Sequence, residues 1–494
     1  MNKFEFDTLA RQSPKGIVIN YFVILYKVFK SSWVLIPYIF TRKSVNMNLV
    51  LPIAIGVAVL ILIIAILQYL NFKFKIEGDH FILHKGVFFK SKSSIPLDRI
   101  QNVNFKQNII HQTINVTQVE IQTAGSKGAE VSIKAISKER ADALKKRLQE
   151  VVFIENEFSE NVVQEEEVIF KLSFLDLLKV SFSENHIRSF FWIFAICVSF
   201  FYQLKDYFKD FDFFSEAINY YLIYKNEIAG SFYLLMILMF VIFIISIVVS
   251  FVRVVLKNFD QKVSKINDGI QLTQGLFTKR IDVLKMRKIQ YTEAVSNPFK
   301  KYLGIQTVKI KQAGSAKTKK KKLIELVGVR NQFLVSLNSL FYRFNLSENN
   351  ELIKPAKYYI FKLSVKVLIL FLLINLALFF TTTIQSKIII NAILIPYLIL
   401  HVILTYQKAY VSFQDEKLIV GSGSIGTVTT LMEYFKTQNV SLDQSFIQKR
   451  RGVADVNLQT ASGVIRMRCL QESDAKMIVE TVVKSASNSN RNWI

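Results

Sequence analysis

The chain has 494 residues, with 63 Lys and Arg against 38 Asp and Glu for a net charge of +25, and 51% of its residues are apolar. Its mean hydropathy is +0.29, which excludes a single soluble domain of this length, while only 7 prolines and 17 glycines exclude a collagen-like or Pro/Gly-rich disordered chain. The two cysteines, Cys197 in an apolar run and Cys469 in a polar segment, exclude a disulfide scaffold and fit a reducing compartment.

The apolar residues collect in six runs, 17–40, 49–70, 187–202, 228–256, 358–380 and 388–406, and a membrane-crossing helix needs about 20 residues. The second and fourth are clean; the first carries Lys27 and Lys30, and the third is short. Phe4, Asp7 and Arg11 leave no cleavable leader pattern, so the first run is expected to act as an uncleaved anchor. The predicted order is a tail and first transmembrane pair (1–70), a β-rich domain (71–154), an acidic linker and helix (155–186) and a second pair (187–256). A second β-rich domain (257–347), a linker with the third pair (348–406), a third domain (407–484) and a tail (485–494) complete it. Within 155–186, Phe170, Phe174, Leu177 and Leu178 recur at helical spacing beside Lys171 and Lys179. This segment reads as an interfacial helix on the membrane, or alternatively as a helix packed on the neighbouring domain.

The three β-rich segments are copies of one unit, and internal repeats take precedence over other readings of a fold. Gly86 and Gly125 in the first copy match Gly275 and Gly314 in the second at an offset of 189 residues, and Gly423 and Ser462 in the third at 337. At the same offsets Gln101 matches Gln290 and Gln438. Val119, Ile121 and Thr123, then Val131, Ile133 and Ala135, alternate with polar residues, the signature of a half-buried hairpin. Each copy closes on a helical pattern, such as Ala141, Leu144, Leu148 and Val151. The expected fold is a multi-pass α-helical membrane protein carrying three α+β domains, each a small antiparallel β-barrel with a C-terminal helix. Two spans between successive domains place all three on one side of the membrane. Residues 253–357 hold 22 Lys and Arg against 7 Asp and Glu, so the positive-inside rule puts the domains and the N-terminus in the cytoplasm.

With Arg99-Ile100-Gln101-Asn102-Val103 and Thr123-Ala124-Gly125 in copy one, and their counterparts Lys288-Ile289-Gln290 and Gln438-Asn439-Val440, the chain resembles bacterial pleckstrin-homology-like membrane proteins of the YdbS/YdbT type. The three-module layout matches the YdbT arrangement. It departs from the family at Arg11-Gln12-Ser13-Pro14, which lacks the family's histidine, and at Thr437 and Ser462 in copy three. The resemblance implies an envelope protein of the bacterial plasma membrane, a YdbS-type membrane partner, an oligomer or hetero-complex, and pleckstrin-homology-like (PH-like) domains that bind lipid, peptide or protein.

The repeated glutamines are expected to bond backbone inside the barrels, and the repeated glycines to serve turns with positive φ. His80 and His84 share a strand face without a third metal ligand, and no nucleophile, zinc or phosphate-loop motif occurs, so no catalytic, metal or cofactor residue is assigned. Lys317, Lys319, Lys320, Lys321 and Lys322 stand where the second copy has its hairpin turn. They are the candidate contact with anionic phospholipid, with Lys300, Lys301, Lys309 and Lys311 as neighbours; the alternative is a solvated loop that only sets topology. The run lacks interleaved aromatics, which argues against nucleic acid. The expected function is a non-enzymatic membrane protein whose domains bind lipid or partners. The alternatives are a transporter or flippase, with Asn375 and His401 as its intramembrane polar residues, and a membrane enzyme acting on lipid or peptide.

Overall fold

The computed structural model describes residues 6, 8–32, 47–87, 89–123, 131–153, 167–208, 228–266, 269–313, 324–342, 352–381, 384–414 and 416–488. The first domain runs through β1 (Ala10–Arg11), the helices α1 (Gly16–Ser32) and α2 (Met47–Asn71), β2 (Lys73–Glu77), β3 (His80–Lys85), β4 (Ser91–Pro96), β5 (Ile100–Gln107), a short α3 (Ile109–Thr113), β6 (Val116–Thr123), β7 (Val131–Ser137) and α4 (Lys138–Phe153). The second comprises β8 (Glu167–Lys171), α5 (Phe174–Ser183), α6 (His186–Phe208), α7 (Ile228–Asn258), β9 (Lys262–Ile266), β10 (Gly269–Gln274), β11 (Lys279–Lys285), β12 (Ile289–Ser296), α8 (Pro298–Tyr302), β13 (Ile305–Gln312), β14 (Ile324–Arg330) and α9 (Asn331–Tyr342). The third comprises β15 (Leu352–Ile353), α10 (Tyr358–Thr381), α11 (Ile384–Lys408), β16 (Tyr410–Gln414), β17 (Lys417–Ser422), β18 (Thr427–Glu433), β19 (Thr437–Asp443), α12 (Phe446–Arg450), β20 (Val453–Thr460), β21 (Gly463–Gln471) and α13 (Glu472–Asn488).

The repeat is obeyed by the backbone. β2, β9 and β16 stand at the two offsets without slip, as do the single 3-10 turns Leu97–Arg99, Met286–Lys288 and Tyr434–Lys436. Asn108, Asn297 and Ser445, again at one repeat position, each accept the N–H three residues ahead and so cap α3, α8 and α12. In β7 the alternation places Val131, Ile133 and Ala135 in the core and leaves Ser132 and Lys134 half-buried, as period two requires.

The domains are not closed barrels. Each splits into a four-stranded and a three-stranded half at its 3-10 turn, and the halves of neighbouring domains join. The sheets run β1-β2-β3-β4, then β7-β6-β5-β11-β10-β9-β8, then β14-β13-β12-β18-β17-β16-β15, then β19-β20-β21. At two seams the strands that would close the barrels pair between neighbouring domains instead: β11 pairs with β5, and β18 with β12. Hydrophobic burial crosses these seams. Ile419 and Leu431 of the third domain belong to the second domain's core cluster, and Tyr291 of the second belongs to the third's.

The boundaries expected at residues 71, 257 and 407 also shift, because each domain begins before its helical pair. β1 pairs with β2 (Ala10 opposite Phe74), β8 with β9 (Glu167 opposite Lys265), and β15 with β16 (Leu352 opposite Ser412). Each helical pair is thus an insertion between two hydrogen-bonded strands. Both ends of every pair return to one sheet, which keeps all three domains on one side of the membrane. Among the described residues four helical windows are long and apolar enough to span: Leu51–Asn71, Met236–Asn258, Tyr358–Phe380 and Ile384–Lys408, none more than 22% buried within the molecule. α1 and α6, which carry the first and third runs, lie against α2 and α7 respectively. The interfacial-helix segment divides: Phe170 and Lys171 belong to β8, and α5 packs on the domain through Leu177 and Val180 while Phe174, Leu175 and Phe182 face outward.

Tyr342, at the end of α9, locks the seam between the second and third domains. Its hydroxyl donates to the Leu431 carbonyl (3.0 Å) and lies 3.2 Å from Thr292 Oγ1; burial holds its pKa above the ordinary phenol value. Tyr342→Phe is expected to cost about 1 kcal/mol, read as a lower melting temperature of the detergent-solubilised protein.

Candidate functional site

Where the second membrane-crossing window ends, the chain opens a cleft of about 680 Å3. Its walls come from four directions: Arg253 and Lys257 from the last turns of α7, Glu184 and Asn185 between α5 and α6, Asn297, Lys300, Thr307 and Lys309 from α8 and its flanking strands, and Gly426 from the third domain. Four cations, Arg253, Lys257, Lys300 and Lys309, face two carboxylates, Glu184 and Glu325, so the cleft keeps a positive surplus. Lys300 is only 7% exposed, and its ammonium donates to Glu184 Oε1 (2.8 Å) and Thr307 Oγ1 (3.1 Å). Lys257 donates to Glu325 Oε2 (3.0 Å), and Arg253 Nη2 to Ser189 Oγ (3.3 Å). Asn297 fixes the wall by donating to the Ser183 carbonyl at 2.7 Å.

The positions that build this cleft build a different joint in each domain. Lys300 corresponds to His111 and Gln448, and Thr307 to Gln118 and Asp455. In the first domain, His111 Nε2 bonds the Lys134 carbonyl (3.0 Å), and Lys134 Nζ donates to Asn20 Oδ1 on α1 (2.9 Å). Burial, with Lys27 nearby, holds the Lys134 ammonium below its ordinary range. In the third, Asp455 Oδ2 accepts from Lys362 Nζ of α10 and from Arg468 Nη1, both at 2.9 Å. Asp455 Oδ1 accepts from Gln448 Nε2 (2.9 Å) and the Cys469 N–H (2.7 Å). Burial would raise the Asp455 carboxyl, but its bonds from Lys362, Cys469 and Arg468 outweigh burial and hold it below the usual carboxylate range. The Cys469 thiol beside it is pushed up to about 11, first by burial and then by the Asp455 charge.

Gly86, Gly275 and Gly423 have φ of 116°, 103° and 123°, the turn role expected of them. Gln290 and Gln438 do not serve as expected, and the three repeated glutamines share one backbone feature. Each stands at the register shift of its strand, the extra residue of a β-bulge in β5, β12 and β19. A bulged residue is turned out of the ladder: Gln290 is fully buried with no hydrogen-bond partner among the described residues, and Gln438 is exposed. Gly125, Gly314, Lys317 and Lys319–Lys322 lie outside the described residues. β13, the strand that precedes Gly314 and the lysine run in sequence, leads from the cleft at Thr307 to Gln312, about 17 Å along the strand. Of the neighbours expected for the lysine run, Lys300 and Lys309 line the cleft, while Lys311 pairs with Glu293 at 3.5 Å. His80 and His84 sit on β3, and no group of three His, Cys, Asp or Glu able to hold a metal ion occurs among the described residues.

The cleft and the Asp455 joint are tertiary products. Their one local signal is a charge in an unexpected place: Lys362 early in an apolar run, and Asp455 between Ala454 and Val456 in a buried strand.

The family model described as "Bacterial PH domain" matches three stretches, residues 24–152, 211–332 and 367–486. The chain is also similar to the UPF0699 transmembrane protein YdbT of Bacillus subtilis (strain 168), 24% identical over 449 residues that cover 84% of this chain and 86% of that protein. Each family match takes in part of a helical pair as well as the strands after it, in keeping with helices inserted inside each domain, and together the matches cover more than half of the chain. The chain therefore belongs to the bacterial PH-domain family, as a transmembrane member with three such domains in tandem.

Proposed function

We propose that this is a non-catalytic protein of the bacterial plasma membrane whose cytoplasmic PH domains bind anionic phospholipid headgroups, with the cleft of the second domain as the binding site. The observation that carries this reading is the surplus of Arg253, Lys257, Lys300 and Lys309 over Glu184 and Glu325 at the end of a membrane-crossing helix. A phosphodiester at that depth meets several cations without leaving the bilayer, and each basic residue near the surface is worth about 1 kcal/mol. Lys300, buried and held by Glu184 and Thr307, positions the wall; Lys309, and Lys257, whose side chain stays 50% exposed beside Glu325, are the groups that reach a headgroup.

The test uses the full chain in a neutral detergent, titrated with a short-chain phosphatidylglycerol or phosphatidylcholine while the melting temperature is followed. Phosphatidylglycerol is expected to raise it and phosphatidylcholine to leave it unchanged. In Lys257→Gln/Lys309→Gln the apparent affinity is expected to fall about 30-fold, the equivalent of about 2 kcal/mol. Equal responses to both lipids, or an unchanged affinity in the double variant, would exclude the cleft. A variant with Lys317 and Lys319–Lys322 changed to Gln forms a separate arm, because the hairpin lysines are a second candidate contact. Transport has less support: the Asn375 amide inside the third pair is engaged reciprocally with Asn391 (3.0 and 2.7 Å), a static clasp between two helices.

A further inference from the structure

The two seams inside the chain are the same interface used twice. At the first, Asp282 of β11 stands opposite Asn104 of β5; at the second, Thr430 of β18 stands opposite Glu293 of β12. Asp282 and Thr430 occupy one repeat position, and Asn104 and Glu293 another, so the register is identical. Every seam joins the last strand of a four-stranded half to the first strand of a three-stranded half. Two such strands remain without a paired strand on that side among the described residues: β4 at the head of the array and β19 at its tail. Each is one half of the interface the other lacks.

We infer that β4 of one chain pairs with β19 of a second copy, in the register of the internal seams, so that copies join head to tail through a continuous seven-stranded sheet. That register sets Ser93 opposite Ser441, Ser94 opposite Val440 and Lys92 opposite Leu442.

Three features of the free strands suit this occupant. Ser91, Lys92 and Ser94 on β4, and Asn439 and Asp443 on β19, are exposed, whereas Leu431 and Met432 of β18 and Tyr291 and Thr292 of β12, paired at the second seam, are buried. Pro96, whose missing N–H would interrupt a ladder, stands one place beyond the last repeat position paired at either internal seam, the one held by Met432. The N–H groups of β4 also alternate correctly. Leu97 N–H bonds the Asp79 carbonyl on the β3 side, so that of Ser94 points away from β3. Lys90 and Lys92 discourage unspecific edge pairing, which leaves the register-matched strand as the fitting partner. A head-to-tail contact between identical chains is heterologous, and because every domain carries a helical pair in the same membrane, copies add side by side in its plane.

The experiment uses the full chain in nanodiscs or native membranes, in a Cys197→Ser background, since Cys469 is buried. Differently tagged Ser93→Cys and Ser441→Cys chains are mixed and oxidised with copper phenanthroline. By the alternation above these two face each other as a non-hydrogen-bonded pair, about 4.5 Å between Cα atoms, within the range of a disulfide. A cross-linked dimer is expected, and none from Ser93→Cys mixed with Val440→Cys, whose side chain is on the opposite face. Glu293→Cys with Thr430→Cys in one chain is the internal control for the same geometry. In a second arm, Ser94→Pro removes an outward N–H without touching the β3 ladder, and light scattering in detergent is expected to fall toward the mass of one 57.0 kDa chain. Failure to dimerise while the internal control closes overturns the inference. So do dimers that ignore register, or Ser93→Cys chains that cross-link in membranes to another protein but never to Ser441→Cys.

Discussion

Gly275→Ala is expected to destabilise the second domain by on the order of 3 kcal/mol or more. The sum comprises about 1–2 kcal/mol for holding an L-residue at positive φ and about 1–3 kcal/mol for forcing atoms into filled space. An alanine Cβ at this site would lie 2.2 Å from the Thr278 carbonyl oxygen, a backbone atom that cannot swing aside. The same carbonyl approaches its glycine at 1.9 Å from a Cβ at Gly86 (Phe89) and at 2.3 Å at Gly423 (Gly426), so all three turns forbid a side chain for one reason. The second site has the widest reach, because the Gly275 N–H bonds the Phe259 carbonyl just after α7, and Leu276 N–H bonds that of Leu256 within it. The cleft wall should loosen with the turn. Melting of the detergent-solubilised variant checks the size of the effect; Gly78→Ala, where a Cβ would meet nothing within 4 Å, isolates the cost of positive φ alone.

The second large effect belongs to Asp455→Asn. This carboxylate is 4% exposed and, from β20, accepts four hydrogen bonds that tie in the first turns of α10, the short α12 and β21. Removing one member of a buried ion pair costs about 3–5 kcal/mol. The Lys362 and Arg468 side chains retain 26% and 38% exposure, which lets water take over part of their solvation, so about 2–3 kcal/mol is expected here. The pH dependence follows from the depressed carboxyl. Native Asp455 holds its proton less tightly than an unfolded one, so its stabilisation is fully present above the unfolded value of about 3.9. It is lost as pH falls through the depressed native value, so the melts of the wild type and the variant should stay apart at about pH 4 and draw together only at more acidic pH. Cys469 supplies the readout. Buried and with its thiol pushed up to about 11, it is silent to thiol reagents at neutral pH until the third domain opens. In a Cys197→Ser background its labelling rate should rise by the factor that the lost stability predicts, about 30–150-fold.

What could be read in the sequence was whatever repeats at short range. Gly86, Gly275 and Gly423 announce their turns because only glycine tolerates that backbone, and the alternation of Val131, Ile133 and Ala135 announces a strand because water lies on one side of it. The repeated glutamines were visible but misleading: a bulge is a property of pairing between two strands, and Gln101 looks the same whether its register slips or not. β1 and β15 were illegible for a related reason. Two residues carry no period, and their partners lie about 60 residues away, beyond a pair of helices. The seams between domains were hidden most deeply, since β4, β11 and β18 are equivalent in the repeat while only the latter two are covered by a neighbour.

The insertion of each helical pair between two bonded strands also sets a timetable for biosynthesis. β8 leaves the ribosome about 100 residues before the β9 strand that must receive it. At about 5–20 residues per second, β8 waits for seconds as a short, unpaired ribbon while two helices are laid into the bilayer. Folding of each domain is therefore gated by the translocation machinery: a pair that inserts in the wrong orientation strands its β-ribbon on the far side of the membrane. The next domain, whose β11 or β18 needs the finished edge of its predecessor, then has no template, and one topological error early in the chain propagates to its end.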